Sequence, residues 1–211
     1  MSAPRRAKVG VLISGGGSNL QALIDAAAAP DYPAEIVLVI SNRPGVKGLD
    51  RATSAGIPSR TIDHTEYAGR PEFEAAIQEA LADADCEIVC LAGFTRVLTA
   101  EFVARWPNRM LNIHPSLLPS FKGLHVQRRA LEAGVRIAGC TVHIVTPDLD
   151  DGPILTQAAV PVLPDDTEAR LSARILQEEH RIYPGALALL ASGRVRVEGN
   201  RAVIEGDADT I

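Results

Sequence analysis

Two hydrophobic rhythms take turns along this chain. Residues 8–13 form a continuous apolar run, the pattern of a parallel strand covered on both faces. Residues 18–28 then carry Leu20, Leu23, Ile24 and Ala27 at helical spacing, which predicts a helix. The exchange repeats with a strand at 35–40, a helix at 46–55 stopped by Gly56, and a short strand at 59–62. A helix at 70–84 shows Phe73, Ile77 and Leu81 on one face, before a strand at 87–92, a short helix at 99–106 and a strand at 110–114. A helix at 126–133, closed by Gly134, precedes strands at 138–145 and 154–162, the second expected antiparallel to its neighbour. The helix predicted at 167–191 is expected to break or bend at Pro184, which lacks the N–H that an α-helix needs. Residues 194–197 and 201–204 read as a hairpin around Glu198-Gly199-Asn200, and residues 205–211 as a loose end.

This alternation predicts the α/β class: one domain over residues 1–211, with an open, twisted, mostly parallel sheet and helices on both faces. No repeat, low-complexity tract or linker divides it. Ligands of such sheets sit beyond the carboxyl ends of the strands. Gly17, Asn112 and His114 all fall at such ends.

Composition narrows the classes. Lys and Arg number 21 against 26 Asp and Glu, a net charge of −5 with no basic run, which argues against nucleic-acid or anionic-membrane binding. No apolar run approaches the roughly 18 residues of a membrane span, and residues 9–13 are too short for a signal-peptide core. Cys86, Cys90 and Cys140 are odd in number and sit in apolar surroundings; no ligand near Cys86 and Cys90 completes a zinc set. They read as reduced core residues of a cytoplasmic protein, with no metal site.

Candidate chemistry concentrates at Asn112-Ile113-His114-Pro115-Ser116-Leu117-Leu118-Pro119. Two residues apart on a strand, the amide and the imidazole point the same way. A second histidine, His143, and the acid Asp150 follow at another strand end. An amide donor, an imidazole and a carboxylate suit a reaction that passes through a tetrahedral oxyanion. Ser116 lacks the strand-turn-helix setting of a serine nucleophile. His143 is left between orienting a partner, lining the pocket and a structural role. His180 reads as helix packing or a cap, His64 as solvent-facing, and His125 and Lys122 as candidates for the phosphate end of a substrate.

Ser14-Gly15-Gly16-Gly17-Ser18-Asn19 joins the first strand to the first helix, where glycines and free N–H groups favour an anion. Leu20 stands at the third glycine position of a dinucleotide fingerprint, and the second strand ends in Ser41-Asn42-Arg43, without a ribose-binding acid. A single phosphate monoester is the better ligand.

Together these segments resemble the phosphoribosylglycinamide formyltransferases, folate-dependent enzymes of purine synthesis. The similarity runs over residues 8–193 and rests on 11–21, 40–42, 91–96, 112–119, 123–125, 141–143, 149–153 and 179–184. The resemblance implies a Rossmann-like formyltransferase fold, with the ribonucleotide phosphate in the N-terminal half and folate and catalysis in the C-terminal half. It implies transfer of a formyl group from the cosubstrate 10-formyltetrahydrofolate to the primary amine of glycinamide ribonucleotide by a monomer or homodimer. The catalytic trio maps onto Asn112, His114 and Asp150. The phosphate loop maps onto Gly17, Ser18 and Asn19, and the contact to the glycinamide end onto Glu179. The folate site maps onto Arg70, onto Thr95, Arg96, Val97 and Leu98, and onto Thr146 to Asp150, with Asn112 at its inner end. Leu118-Pro119 falls where the family carries a cis bond. Thr95, Leu176 and Lys122 depart from residues common in relatives at the pterin, phosphoribosyl and loop positions; none is in the trio.

Two rival enzymes use the same trio. A formyltetrahydrofolate hydrolase would use water in place of the amine, and such relatives carry an N-terminal regulatory module, whereas about seven residues precede the first strand here. A methionyl-tRNA formyltransferase would bring a further basic, nucleic-acid-binding domain. A nucleotide-binding module without chemistry would need the glycine loop alone.

Overall fold

A computed structural model describes residues 5–206. Seven strands form one sheet, β1 (Ala7–Ile13), β2 (Ala34–Ser41), β3 (Ser59–Thr61), β4 (Ile88–Leu91), β5 (Met110–His114), β6 (Ile137–Ile144) and β7 (Ile154–Pro161), in the order β3-β2-β1-β4-β5-β6-β7. The first five of that order are parallel. The helices are α1 (Ser18–Ala27), α2 (Lys47–Ser54), α3 (Arg70–Asp83), α4 (Ala100–Val103), α5 (Val126–Glu132) and α6 (Glu168–Ala191). β8 (Val195–Glu198) and β9 (Arg201–Ile204) make the expected terminal hairpin. Of the segment expected to be loose, residues 207–211 lie outside the described residues.

The mostly parallel α/β sheet agrees with the hydrophobic pattern. β7 is antiparallel to β6, as expected, but β6 is also antiparallel to β5, and nothing in the pattern signalled that reversal. An apolar run reports a buried strand but not the direction in which it points, which only pairing with its neighbours decides. The reversal matters for the site, because it sets Asn112 opposite His143 and His114 opposite Thr141.

Of the break or bend expected at Pro184, the break does not occur. α6 runs unbroken through it. The missing N–H costs one intrahelical bond, but buried residues on both sides, Ile175 and Tyr183 before and Ala186 and Leu187 after, hold the two halves on the sheet. Tyr183, fully buried, donates its hydroxyl toward the carbonyls of Leu91 (3.0 Å) and Leu111 (3.3 Å), bolting α6 to the ends of β4 and β5. Tyr32 donates to the carbonyl of Pro184 itself at 2.7 Å.

One apolar layer packs α1 and α6 against one face of the sheet, with Leu20, Leu23, Leu171 and Leu187 in contact with β1 and β6. The other packs Phe73, Ile77, Leu81, Phe102 and Trp106 against Leu12, Ile40 and Met110. Cys90 and Cys140 are buried and unpaired, and burial pushes both thiols up to about 12; Cys86 is pushed up to about 11. All three stay protonated near neutral pH and offer no thiolate for catalysis.

Candidate active site

β5 ends at His114, and the chain beyond it folds back over its own strand. Ser116 donates to the carbonyl of Ser120 at 2.6 Å. From β6, the Thr141 hydroxyl donates to the carbonyl of Ser116 (2.7 Å) and accepts from the N–H of Leu118 (3.0 Å). The Leu118–Pro119 bond in this turn is cis. The fold-back brings the carbonyl of Phe121 to 3.1 Å from Nε2 of His114, so that nitrogen carries a hydrogen and donates it. Nδ1 of the same ring lies 3.5 Å from Oδ2 of Asp150.

Asp150 reaches this position from a loop that leaves β6 and returns at once to β7. Gly152 closes the loop, where a Cβ would stand 1.7 Å from the carbonyl oxygen of Ile144, so only glycine fits. Asp150 has a left-handed backbone (φ 48), a conformation that aspartate tolerates better than most residues. Its Oδ2 accepts from the N–H of Gly123 at 2.9 Å, and its Oδ1 lies 3.8 Å from Nε2 of His143. The carboxylate is thus held by a backbone donor between two imidazoles, with its side chain 9% exposed.

His143 sits between Asn112 and the strand behind it. Its Nδ1 is 3.0 Å from the carbonyl of Ile144, which makes Nδ1 the protonated nitrogen of a neutral ring. Nε2 then accepts from Nδ2 of Asn112 at 3.2 Å. This contact sets which way the Asn112 amide faces and leaves its second N–H free. Burial lowers the His143 pKa and keeps the ring neutral; the Ile144 carbonyl and Asp150 oppose the shift.

The His143 shift carries a stability consequence. Its folded-state pKa lies below its ordinary 6.5, so between those two values the unfolded chain holds more protons, and the contribution to stability present above pH 6.5 is lost as pH falls. Glu179, pushed up by burial, acts with the opposite sign over its own, more acidic range. The expected result is that His143→Gln shows a shallower loss of stability than the parent between pH 6.5 and 5.5, measured by urea unfolding. Parallel curves would refute it.

The trio stands along a cleft of about 370 Å³ that takes its walls from both halves of the chain. One wall is the segment from Gly93 to Leu98, and the other includes Gly123 to Gln127 and the loop from Val145 to Asp150. The rim is apolar, with Val97, Leu124 and Leu149 all more than half exposed. Thr95, Arg96, Val97, Leu98 and Thr146 all line the cleft. Arg70, exposed at the start of α3, does not belong to its wall, which begins only at β4 and the loop after it. His125 also lines this cleft, while Lys122 forms an ion pair with Asp151.

A second cluster forms at the glycine loop. Gly17 has φ 67, and a Cβ there would stand 2.7 Å from the Cα of Gly48, so α2 packs directly on the loop. The N–H of Gly48 donates to the carbonyl of Gly15 (3.1 Å), and Nε of Arg51 to that of Gly16 (2.9 Å). With those carbonyls tied to α2, the N–H groups on the other side of each peptide face outward. No side chain caps α1, which leaves its first N–H groups open to an anion. Nδ2 of Asn19 donates to Oε2 of Glu179 at 2.7 Å, which joins α1 to α6, and the buried Oδ1 of Asn19 has no protein partner among the described residues. Burial raises the Glu179 pKa, and the Asn19 donor partly offsets the rise. This corner presents acceptors and suits a ligand rich in N–H groups.

The pattern reading overlooked several positions. The backbone groups of Phe121 and Gly123 left no mark in side-chain motifs. His64, read as solvent-facing, is half-buried, with Nδ1 3.0 Å from the carbonyl of Asn42. Asn42 accepts from the Ser14 hydroxyl at 2.6 Å, and that hydroxyl accepts from the N–H of Thr95 at 2.9 Å. Among the described residues, no group of three His, Cys, Asp or Glu is placed to hold a metal ion, and no helix is long and apolar enough to cross a membrane.

Known proteins share the sequence and fold of this chain. Residues 7–187 match the formyl transferase family. The chain is 42% identical to the phosphoribosylglycinamide formyltransferase of Escherichia coli (strain K12), covering 93% of this chain and 92% of that one, and 41% identical to that of Haemophilus influenzae, covering 95% of both. It is 54% identical over 93% of its length to the human trifunctional purine biosynthetic protein adenosine-3, of which it spans 19%. The other trifunctional relatives are spanned to a similar or smaller extent, between 14% and 20% of their length. Among solved structures, glycinamide ribonucleotide transformylase 1 from Symbiobacterium toebii superposes with a TM-score of 0.92 at 50% identity, covering 94% of both chains. A formyltetrahydrofolate deformylase from Pseudomonas syringae, 24% identical with a TM-score of 0.89, shares the fold. A formyl transferase match over most of the chain, with bacterial relatives matched nearly end to end, places this chain in the phosphoribosylglycinamide formyltransferase family.

Proposed function

We propose that this protein transfers the formyl group of 10-formyltetrahydrofolate to the primary amine of glycinamide ribonucleotide. The observation that carries the reading is the meeting of Asn112, His114 and Asp150 at one end of an apolar-rimmed cleft, with Asp150 3.5 Å from the His114 ring. The folate's flat rings suit the walls at Val97, Leu98 and Leu149, and Arg96 at the mouth supplies a cation for its glutamate tail. The phosphate end of the ribonucleotide suits the N–H groups of Gly17, Ser18 and Asn19, and its glycinamide N–H groups suit Glu179 and the free Oδ1 of Asn19.

The amine, in its neutral form, attacks the formyl carbon. As the new C–N bond forms, the formyl C=O becomes an oxyanion. The free N–H of Asn112 donates to it. Of the two nitrogens of His114, Nε2 donates to Phe121, so Nδ1 is the one left to face the oxyanion, and it donates there as part of the imidazolium, the ring carrying both hydrogens. Asp150, directly or through a water, takes a proton from the attacking nitrogen. A proton returns to N10 as the C–N10 bond breaks, leaving tetrahydrofolate and the formylated amine. No acyl-enzyme is required, because the substrate brings its own nucleophile.

Pure protein mixed with 10-formyltetrahydrofolate is expected to release tetrahydrofolate only when glycinamide ribonucleotide is present, with one formylated ribonucleotide formed per folate consumed. Release at equal rate without the ribonucleotide would assign hydrolysis instead.

A further inference from the structure

Glu74 is a buried acid that the chemistry above leaves unused. It lies on α3, 4% exposed, and does not line the cleft of the trio. No Lys, Arg or His among the described residues comes within 4.0 Å of its carboxylate. A buried carboxylate without a cation is costly, and an apolar residue of similar volume would hold α3 against α4 at lower cost. What a carboxylate supplies that an apolar residue does not is a pair of acceptor atoms.

Both acceptors are spent on one residue. Oε1 accepts the backbone N–H of Thr99 at 2.8 Å, and Oε2 accepts the Thr99 hydroxyl. That hydroxyl in turn accepts from the N–H of Phe102 at 3.3 Å, the first-turn bond of α4. Position and rotation of Thr99 are therefore set together. Four residues earlier, the N–H of Thr95 is held by the Ser14 hydroxyl, itself fixed on Asn42. The segment between these points is Arg96, Val97 and Leu98, which lines the cleft assigned to the folate. Apart from the N–H of Thr95, the backbone polar groups of residues 93–98 have no protein partner among the described residues. A short segment with open donors and acceptors, pinned at both ends, is a preorganised edge for a heterocycle that carries both kinds of group.

We infer that Glu74 is a positioning residue for the folate: by gripping the N–H and hydroxyl of Thr99 it fixes the backbone edge at residues 96–98 against which the pterin end of the cosubstrate binds. The inference rests on the proposed formyl transfer and names the residue that tunes its folate side.

The test uses steady-state kinetics of the full chain with each substrate varied, together with equilibrium dialysis of tetrahydrofolate. Glu74→Gln keeps the volume and one acceptor oxygen, but it turns an NH2 group toward a donor. It is expected to raise the folate KM and the tetrahydrofolate Kd five- to tenfold, with kcat and the ribonucleotide KM within twofold of the parent. Thr99→Val removes the hydroxyl from the other side of the same contact and should move the same two constants. The double variant should be no worse than the more affected single variant, because both changes break one contact. A lowered melting temperature with unchanged folate constants, or equal changes in both KM values, would overturn the inference by making Glu74 merely a brace. If Glu74→Gln fails to fold, Thr99→Val decides alone by the same criteria. Parent protein without amine-dependent turnover would instead sink the proposed reaction, while normal parent turnover without the KM split sinks this inference only.

Discussion

Asp150→Asn is expected to lower kcat by about two to four orders of magnitude, the range by which a positioned proton-transfer group speeds a reaction. The substitution is nearly isosteric. An asparagine oxygen can still accept from the N–H of Gly123, so the loop closed by Gly152 should keep its shape. What disappears is the negative charge between the rings of His114 and His143. Without it the ring of His114 loses the carboxylate beside it, and the amine proton has none to receive it. Binding of both substrates should change far less than turnover, since the affected interactions are made mainly while charge moves. His114→Ala should give a loss of at least a hundredfold, again with both KM values within a few-fold. Single-turnover rates of the purified variants, with circular dichroism to confirm folding, are the measurement. Variants that turn over within tenfold of the parent would remove Asp150 and His114 from the chemistry.

Asn112→Ala should cost about 10²- to 10³-fold in kcat, equivalent to roughly 3–4 kcal/mol, as expected for one donor removed from a developing oxyanion. The donation is directional. Nδ2 of Asn112 gives one hydrogen to His143 at 3.2 Å, and the carbonyl of Ile144 holds His143 so that it must accept. The amide therefore cannot flip without losing this bond, and its second hydrogen faces away from His143. If His143 acts through Asn112, His143→Ala should also lower kcat, and the double variant should be little worse than Asn112→Ala alone. Additive losses would show that His143 meets the substrate by its own route. A loss below tenfold in Asn112→Ala would mean that the oxyanion is held by other groups.

Parts of this site were legible in the chain. Asn112 and His114 share a face because side chains alternate along a strand, a rule that needs no partner. The glycine loop followed from glycines between an apolar run and a helical one. Asp150 stood out as the acid at the next strand end, while segment similarity to the formyltransferases supplied Glu179, which no local rhythm would have singled out. Glu74 shows the limit. Helical spacing sets it on the face of Ile77 and Leu81, three and seven residues on, but what its carboxylate grips follows only from where α3 and α4 meet. The same holds for Phe121 and Gly123, whose contribution is a carbonyl and an N–H that every residue possesses.

Local backbone rules and motif spacing determined the strands, most helix bounds, the α/β class and the residues able to carry acyl-type chemistry. Packing alone decided that α6 passes through Pro184 unbroken, and that β6 reverses and so sets His143 against Asn112. The division follows from range. Periodicity reports torsions and faces within one element, whereas the protonated nitrogen of a ring, the direction of an amide and the charge between two imidazoles depend on atoms that distant segments bring within hydrogen-bond reach.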